Sequence, residues 1–230
     1  MTLNFGTLAT TQTSSSNLHL RPYNIYEGVK FAGIEGPITG TSAQGNSWKA
    51  WDFKFECSEG TYSERIFDPS IGKGAERNEV KRNDGTVAKL PSDWERTQAF
   101  LAQVGHTYNP EGFAKVQENA GKVSSFEQLI ELFKKCIGQP TVTTNLKLTG
   151  RNNNGSVYAS LPTFVRINSS TGEVFTSDNF LGDKVAFSSW EKSKKTEYEN
   201  AKPTNVAATT SISVDTSAKS DDFDLESLGL

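Results

Sequence analysis

The sequence predicts a mainly β domain of five strands, with a small α-helical insertion between the third and the fourth. Three observations carry this. Between Trp48 and Cys57, apolar and polar residues alternate with a period of two, the mark of a strand buried on one face. Ser58-Glu59-Gly60 then gives a short turn into Thr61–Phe67, so two strands form a hairpin. Two stretches with helical start and stop signals follow, and extended segments resume only after Pro140.

Residues 1–22 are dominated by Thr, Ser, Asn and Leu and read as a flexible N-terminal arm with little core material. The domain is expected over 23–200. Its first strand runs from Ile25 to Ile34, with Ile25, Val29 and Phe31 in phase. In the second, Trp51, Phe53, Phe55 and Cys57 share the buried side, while Trp48, Asp52, Lys54 and Glu56 share the other. Lys49 stands at the entrance of the apolar side, where a long side chain can snorkel out. Asp68-Pro69 stops the third strand, because proline has no N–H to give to a ladder. Residues 70–91 are a polar, mildly basic insertion with Lys73, Arg77, Lys81, Arg82 and Lys89. Its Gly72-Lys73-Gly74 lacks the glycine spacing and the following Ser or Thr of a phosphate loop.

Pro91-Ser92-Asp93 opens a helix with a capping serine, and Trp94, Ala99, Leu101 and Val104 share its buried face. A second helix starts at Ser124-Ser125, places Phe126, Leu129, Ile130, Phe133 and Ile137 at helical spacing, and stops at Gly138 before Pro140. The fourth strand is Thr141–Thr149, with Val142, Leu146 and Leu148 on one side and Lys147 on the other. Arg151–Gly155 is a polar hairpin loop. In Ser156–Ile167, Val157, Ala159 and Leu161 point inward, Ser156, Tyr158 and Ser160 outward, and Pro162 interrupts the run. Ser188–Asn200 reads as a polar surface helix. Residues 201–230 shift to Ala, Thr, Ser and Val and form a disordered linker and an acidic C-terminal tail.

The formal net charge of -3 is unevenly spread. From Asp215 onward, Asp215, Asp221, Asp222, Asp224 and Glu226 face only Lys219, so the body before them is near neutral. Cys57 and Cys136 have no CxxC spacing and no histidine at ligand spacing, and read as free thiols of a reducing compartment. No apolar run reaches membrane-spanning length, and Met1–Phe5 carries neither a basic region nor a hydrophobic segment. A cytoplasmic protein with no membrane contact is expected.

Three strands, helices and two strands is the element order of a five-stranded OB barrel with its helices between strands 3 and 4. If the in-phase apolar set fills the barrel, then Tyr26, Lys30, Trp48, Lys54, Lys147, Tyr158, Phe164 and Arg166 lie on the outer face or its rims, with Arg65 and Arg151 nearby. Aromatic rings interleaved with cations suit single-stranded DNA, because unpaired bases stack on rings at about 1–3 kcal/mol each while cations track phosphates. Duplex DNA hides those faces and would call for a helix that enters a groove. Lys73, Arg77, Lys81 and Arg82 are expected to add phosphate contacts from the insertion. Taken singly, each of the lysines and Arg166 is more often a solvated strand residue, Trp48 and Tyr158 can equally cover the barrel ends, and Phe53 and Phe55 are core. The pattern as a whole favours binding.

Three phrases also resemble one family. Gly28–Ile34, Trp51–Glu56 and Glu64–Pro69, followed by Phe180–Ser188 and the acidic tail, are similar to the single-stranded DNA-binding proteins of tailed bacteriophages. The resemblance covers roughly residues 23–190 and the tail. It implies binding without catalysis or cofactor, and a role in phage DNA replication, recombination and repair. It also implies that Asp221, Asp222, Phe223, Asp224, Leu225 and Glu226 contact replication proteins (a polymerase, or a helicase or primase), and it allows a homodimer. Related tails commonly end on an aromatic residue, whereas this chain ends on Leu230.

Two other classes compete. Asp52, Glu56, Glu64 and Asp68 would have to form a nuclease metal cluster, yet Asp52 and Glu56 point outward among cations. His19 and His106 lie near no nucleophile pattern, so neither catalysis nor a metal is expected. A phage structural or assembly module is the alternative, since OB-like barrels also bind proteins and the body is near neutral.

Overall fold

The computed structural model describes residues 18–72, 74, 76–81 and 85–201. Three long strands open it: β1 (Asn24–Thr41), β2 (Ser47–Cys57) and β3 (Gly60–Phe67). A short ribbon of β4 (Glu79–Lys81) and β5 (Val87–Lys89) follows, then α1 (Asp93–Tyr108), α2 (Pro110–Ala120) and α3 (Phe126–Ile137). β6 (Thr143–Asn153) and β7 (Ser156–Ser160) complete the main sheet. A second ribbon joins β8 (Val165–Ile167) to β9 (Val174–Thr176), and the last described element is α4 (Ser189–Ala201).

The fold is mainly β, around a five-stranded antiparallel sheet of order β3-β2-β1-β6-β7. β3 and β7 are its end strands, and no ladder joins them among the described residues, so the sheet shows no closure into a barrel there. Part of the β3 edge is already occupied. Thr61 donates its N–H to the Leu18 carbonyl, and its own carbonyl accepts from Leu20, both at 2.9 Å. The approach is close enough to require glycine at the neighbouring Gly60, where φ is +145° and a Cβ would run into the Leu18 backbone.

β1 is longer than its alternation suggests. It continues past Ile34 through Pro37, because the register shifts between Glu35 and Ile38 and spares the proline a ladder bond. β6 absorbs Arg151, Asn152 and Asn153, which the sequence places in a loop, and leaves Asn154-Gly155 as the turn. The last predicted strand breaks at Pro162, and its second half pairs with β9 rather than with the main sheet.

The helices follow their caps. Ser92 and Glu95 form a reciprocal capping box on α1, Ser125 caps α3, and Gly138 ends it at φ 64°. Trp94 is half-exposed at the start of α1, and Phe100, Leu101, Val104 and Tyr108 are the face that is buried. α2 was not anticipated, since Phe113 and Val116 are its only large buried side chains. Asn109-Pro110, a cap followed by proline at the first helical position, is the signal that marks it. α1 and α2 meet at Gly105, where a Cβ would enter the Phe113 ring.

These helices cover the inner face of the sheet. Phe53 meets Phe100 edge-on at 4.9 Å and Trp51 meets Phe126 at 5.2 Å, with Phe31, Phe55, Phe133, Leu146 and Leu148 completing the core. Burying each side chain of this size contributes about 1.5–3 kcal/mol. No described helix is long and apolar enough to cross a membrane.

Candidate nucleic-acid interface

The outer face of β1, β2 and β3 carries the cations that the alternation of β2 assigns there, but each has a carboxylate beside it. Lys30 pairs with Glu56 at 3.1 Å, Lys54 with Glu35, and Arg65 grips Asp52 with two hydrogen bonds of 2.8 and 3.0 Å. The register explains this: Lys30 lies directly opposite Glu56, and Asp52 opposite Arg65. The centre of this face is therefore electrically balanced. At one end it becomes aromatic, where Trp48 meets Phe67 edge-on at 5.7 Å and lies across Gly40. A Cβ at Gly40 would strike the indole, so glycine there sets the pose of the ring.

Three expected contact residues are not on a free surface. Tyr26 is buried, and its hydroxyl accepts from the Arg21 N–H at 2.6 Å and donates to the Arg21 carbonyl at 3.1 Å. Phe164 is half-buried against Phe180, with ring centroids 5.0 Å apart. Lys147 does point away from Leu146 and Leu148, but its side chain is 0% exposed. It donates to Asp178 and to the Ala186 carbonyl at 3.0 Å, and lies 3.4 Å from Glu191. The segment that supplies these partners is laid along β6 by two backbone bonds, Lys147 N–H to the Phe180 carbonyl at 2.8 Å and Gly182 N–H to the Asn145 carbonyl at 3.1 Å. Ser188 and Glu191 then cap α4. What alternation reads as a solvent face is covered by chain that arrives later.

Arg151 and Tyr158 remain exposed and are directly opposite each other on β6 and β7, with Tyr158 58% exposed. Next to them the two ends of the sheet approach. Glu64, on the inner side of β3 with Tyr62, receives the Tyr62 hydroxyl as a hydrogen-bond donor and lies within the field of Arg151. Burial pushes the Glu64 carboxyl up to about 7, while the Tyr62 hydrogen bond and the Arg151 charge pull it down. Burial and the neighbouring Glu64 charge hold the Tyr62 hydroxyl well above its ordinary range. The sequence reading names Glu64 only within a rejected nuclease cluster with Asp52, Glu56 and Asp68; its phase with Tyr62 and Ile66 was the available signal of its inner position.

In the insertion, Arg77 bonds Glu95 at 2.6 Å and the Gly172 carbonyl at 2.9 Å, tying the insertion to α1 and to the β8–β9 turn. Its guanidinium is committed to these partners, whereas Lys81 is exposed. Lys73 and Arg82, and the tail residues Asp221, Asp222, Phe223, Asp224, Leu225 and Glu226, lie outside the described residues. Arg166 is exposed on β8, opposite Phe175 of β9, which sequence reasoning did not select.

No protein-family model, no curated protein and no solved structure matches this chain. The likeness to phage proteins therefore rests on its sequence phrases and layout alone.

Proposed function

We propose that this chain is a non-enzymatic protein that binds single-stranded DNA with little sequence preference, in phage DNA replication, recombination or repair. The observation that carries the reading is the cross-strand pair Arg151 and Tyr158: both are exposed on one face, at the end of the sheet, so a base can stack on the ring while the guanidinium holds its phosphate. The strand order supports it, since β3-β2-β1-β6-β7 is the order of an OB barrel opened between its third and fifth strands. Tyr62, Glu64 and Arg151 would then close the seam with side chains instead of a ladder. Trp48 offers a further stacking ring, and Arg65, Lys30 and Lys54 become phosphate ligands when DNA displaces their carboxylates. The acidic tail contacts replication proteins and competes with DNA for the same cations.

A second reading has its own observation. The ion pairs across β1, β2 and β3 leave a balanced, structured surface that suits a protein partner in a phage assembly as well as DNA. Titrating oligothymidine against the full chain and a version ending at Val214, at two salt concentrations, separates the two. Salt-sensitive binding that tightens without the tail supports the DNA reading. Absence of binding by either form supports the assembly module.

A further inference from the structure

Among the cations that the sequence places on the outer surface, Arg166 differs from most. Lys30, Lys54, Arg65, Arg77 and Lys147 each have a carboxylate partner, and Arg151 faces Glu64; Arg166 has no carboxylate partner among the described residues. It is exposed, and across the ribbon stands Phe175, 45% exposed. Residues directly opposite in an antiparallel pair share one face with their Cβ atoms about 4.5–5.5 Å apart. The ribbon thus presents a partly exposed ring beside a guanidinium without a carboxylate partner among the described residues, a stacking surface and a phosphate ligand side by side.

The ribbon is tied to the body of the protein. Val165 is buried on its other face, the Ser177 N–H donates to the Phe164 carbonyl at 2.9 Å, and Asn168 closes the turn through the Ser170 and Thr171 N–H groups. Arg77 fastens the turn at Gly172 and is itself held by Glu95. The backbone that carries Arg166 and Phe175 is thus held at its turn and at its base, which reduces the ordering a ligand must impose on it.

The arrangement repeats one already described. Arg151 and Tyr158 are an exposed arginine and an exposed aromatic, directly opposite on neighbouring antiparallel strands; so are Arg166 and Phe175. From this repetition and the unmatched charge, we infer that the β8–β9 ribbon is a second contact for single-stranded nucleic acid, with a base stacked on Phe175 and its phosphate on Arg166. The inference rests on the DNA-binding reading above and adds a site outside the main sheet.

The test uses the full chain and oligothymidine of about 30 nucleotides, longer than the roughly 4–16 nucleotides one OB-type face covers. Phe175→Leu keeps an apolar side chain but removes the stacking ring, and should weaken binding about ten-fold. Arg166→Gln should lower the slope of log affinity against log salt by about 0.7, one single-strand phosphate contact. Photocrosslinking of iodouracil-substituted oligothymidine to the wild-type chain should mark Phe175. Both positions are exposed, and circular dichroism of each variant verifies the fold. Wild-type binding with both variants unchanged and no crosslink at Phe175 overturns the ribbon site while leaving the DNA-binding reading intact. No binding by the wild-type chain overturns both. Unchanged DNA binding with loss of affinity for a peptide of residues 215–230 would assign the ribbon to the acidic tail instead.

Discussion

Lys147 on β6 and Glu191 on α4 meet inside the protein, with Nζ 3.4 Å from the carboxylate and both side chains buried. With Asp178 and the Ala186 carbonyl they fix the C-terminal segment and α4 to the sheet. Removing the lysine leaves a buried carboxylate uncompensated, so Lys147→Met should cost about 3–5 kcal/mol of stability in urea unfolding. Adding Glu191→Gln should restore part of that loss, because the buried charge goes with it; Asp178, which is partly exposed, can rehydrate. Undiminished stability in Lys147→Met would mean the pair holds nothing together.

The acids on the outer face restrain the cations beside them. Asp52→Asn releases Arg65 from its two-pronged grip. Oligothymidine should then bind more tightly at low salt, and the salt slope should steepen by up to about 0.7. Anisotropy titrations at several salt concentrations measure both. Weaker binding would show that Asp52 positions Arg65 for its ligand.

Stacking makes a different demand. Tyr158→Ala should weaken oligothymidine binding by about 1–3 kcal/mol, and Tyr158→Phe should retain most of it. Trp48→Ala should act similarly, and Gly40→Ala should act through the displaced indole although residue 40 carries no ring of its own. Equal affinity for Tyr158→Ala and the wild type would remove the β6–β7 pair from the interface.

Glu64 makes stability depend on pH with a definite sign. Its folded-state carboxyl titrates at about 7 against an ordinary 4.5, so the folded protein holds a proton that the unfolded chain gives up between these values. Its contribution is fully present below pH 4.5 and is lost as pH rises through about 7. Glu64→Gln should therefore gain stability relative to wild type between pH 5 and pH 8, as read from thermal unfolding across that range. The titratable and charged groups that face Glu64 are the Tyr62 hydroxyl, which donates to it, and the charges of Arg151 and Asp52. A wild-type-to-variant difference that stays flat with pH would mean that Glu64 is ionised throughout.

Much of the architecture was legible. The alternation of Trp51, Phe53 and Phe55 named a buried face, and the structure buries all three completely. Ser92, Ser125 and Gly138 announced the ends of helices because orphan backbone groups at a helix end need local partners, and local partners are visible in sequence. α2 was less legible: its buried face is narrow, and Asn109-Pro110 was its main signal.

The candidate interface was legible only in part. Periodicity in a strand states which side a residue takes, and it correctly put Lys147 opposite Leu146 and Leu148; it does not state what later covers that side. Residues 178–191 do so, and long-range chain return has no periodic signature. The balancing of Lys30 by Glu56 and of Arg65 by Asp52 depends on strand register, and the exposure of Phe175 beside Arg166 depends on a ribbon that departs from the main sheet. The three long strands, α1 and α3 could be read locally, because capping residues and hydrophobic period are properties of neighbouring residues. Which outward cations stay without a carboxylate is a tertiary matter, because it depends on partners brought together across the chain.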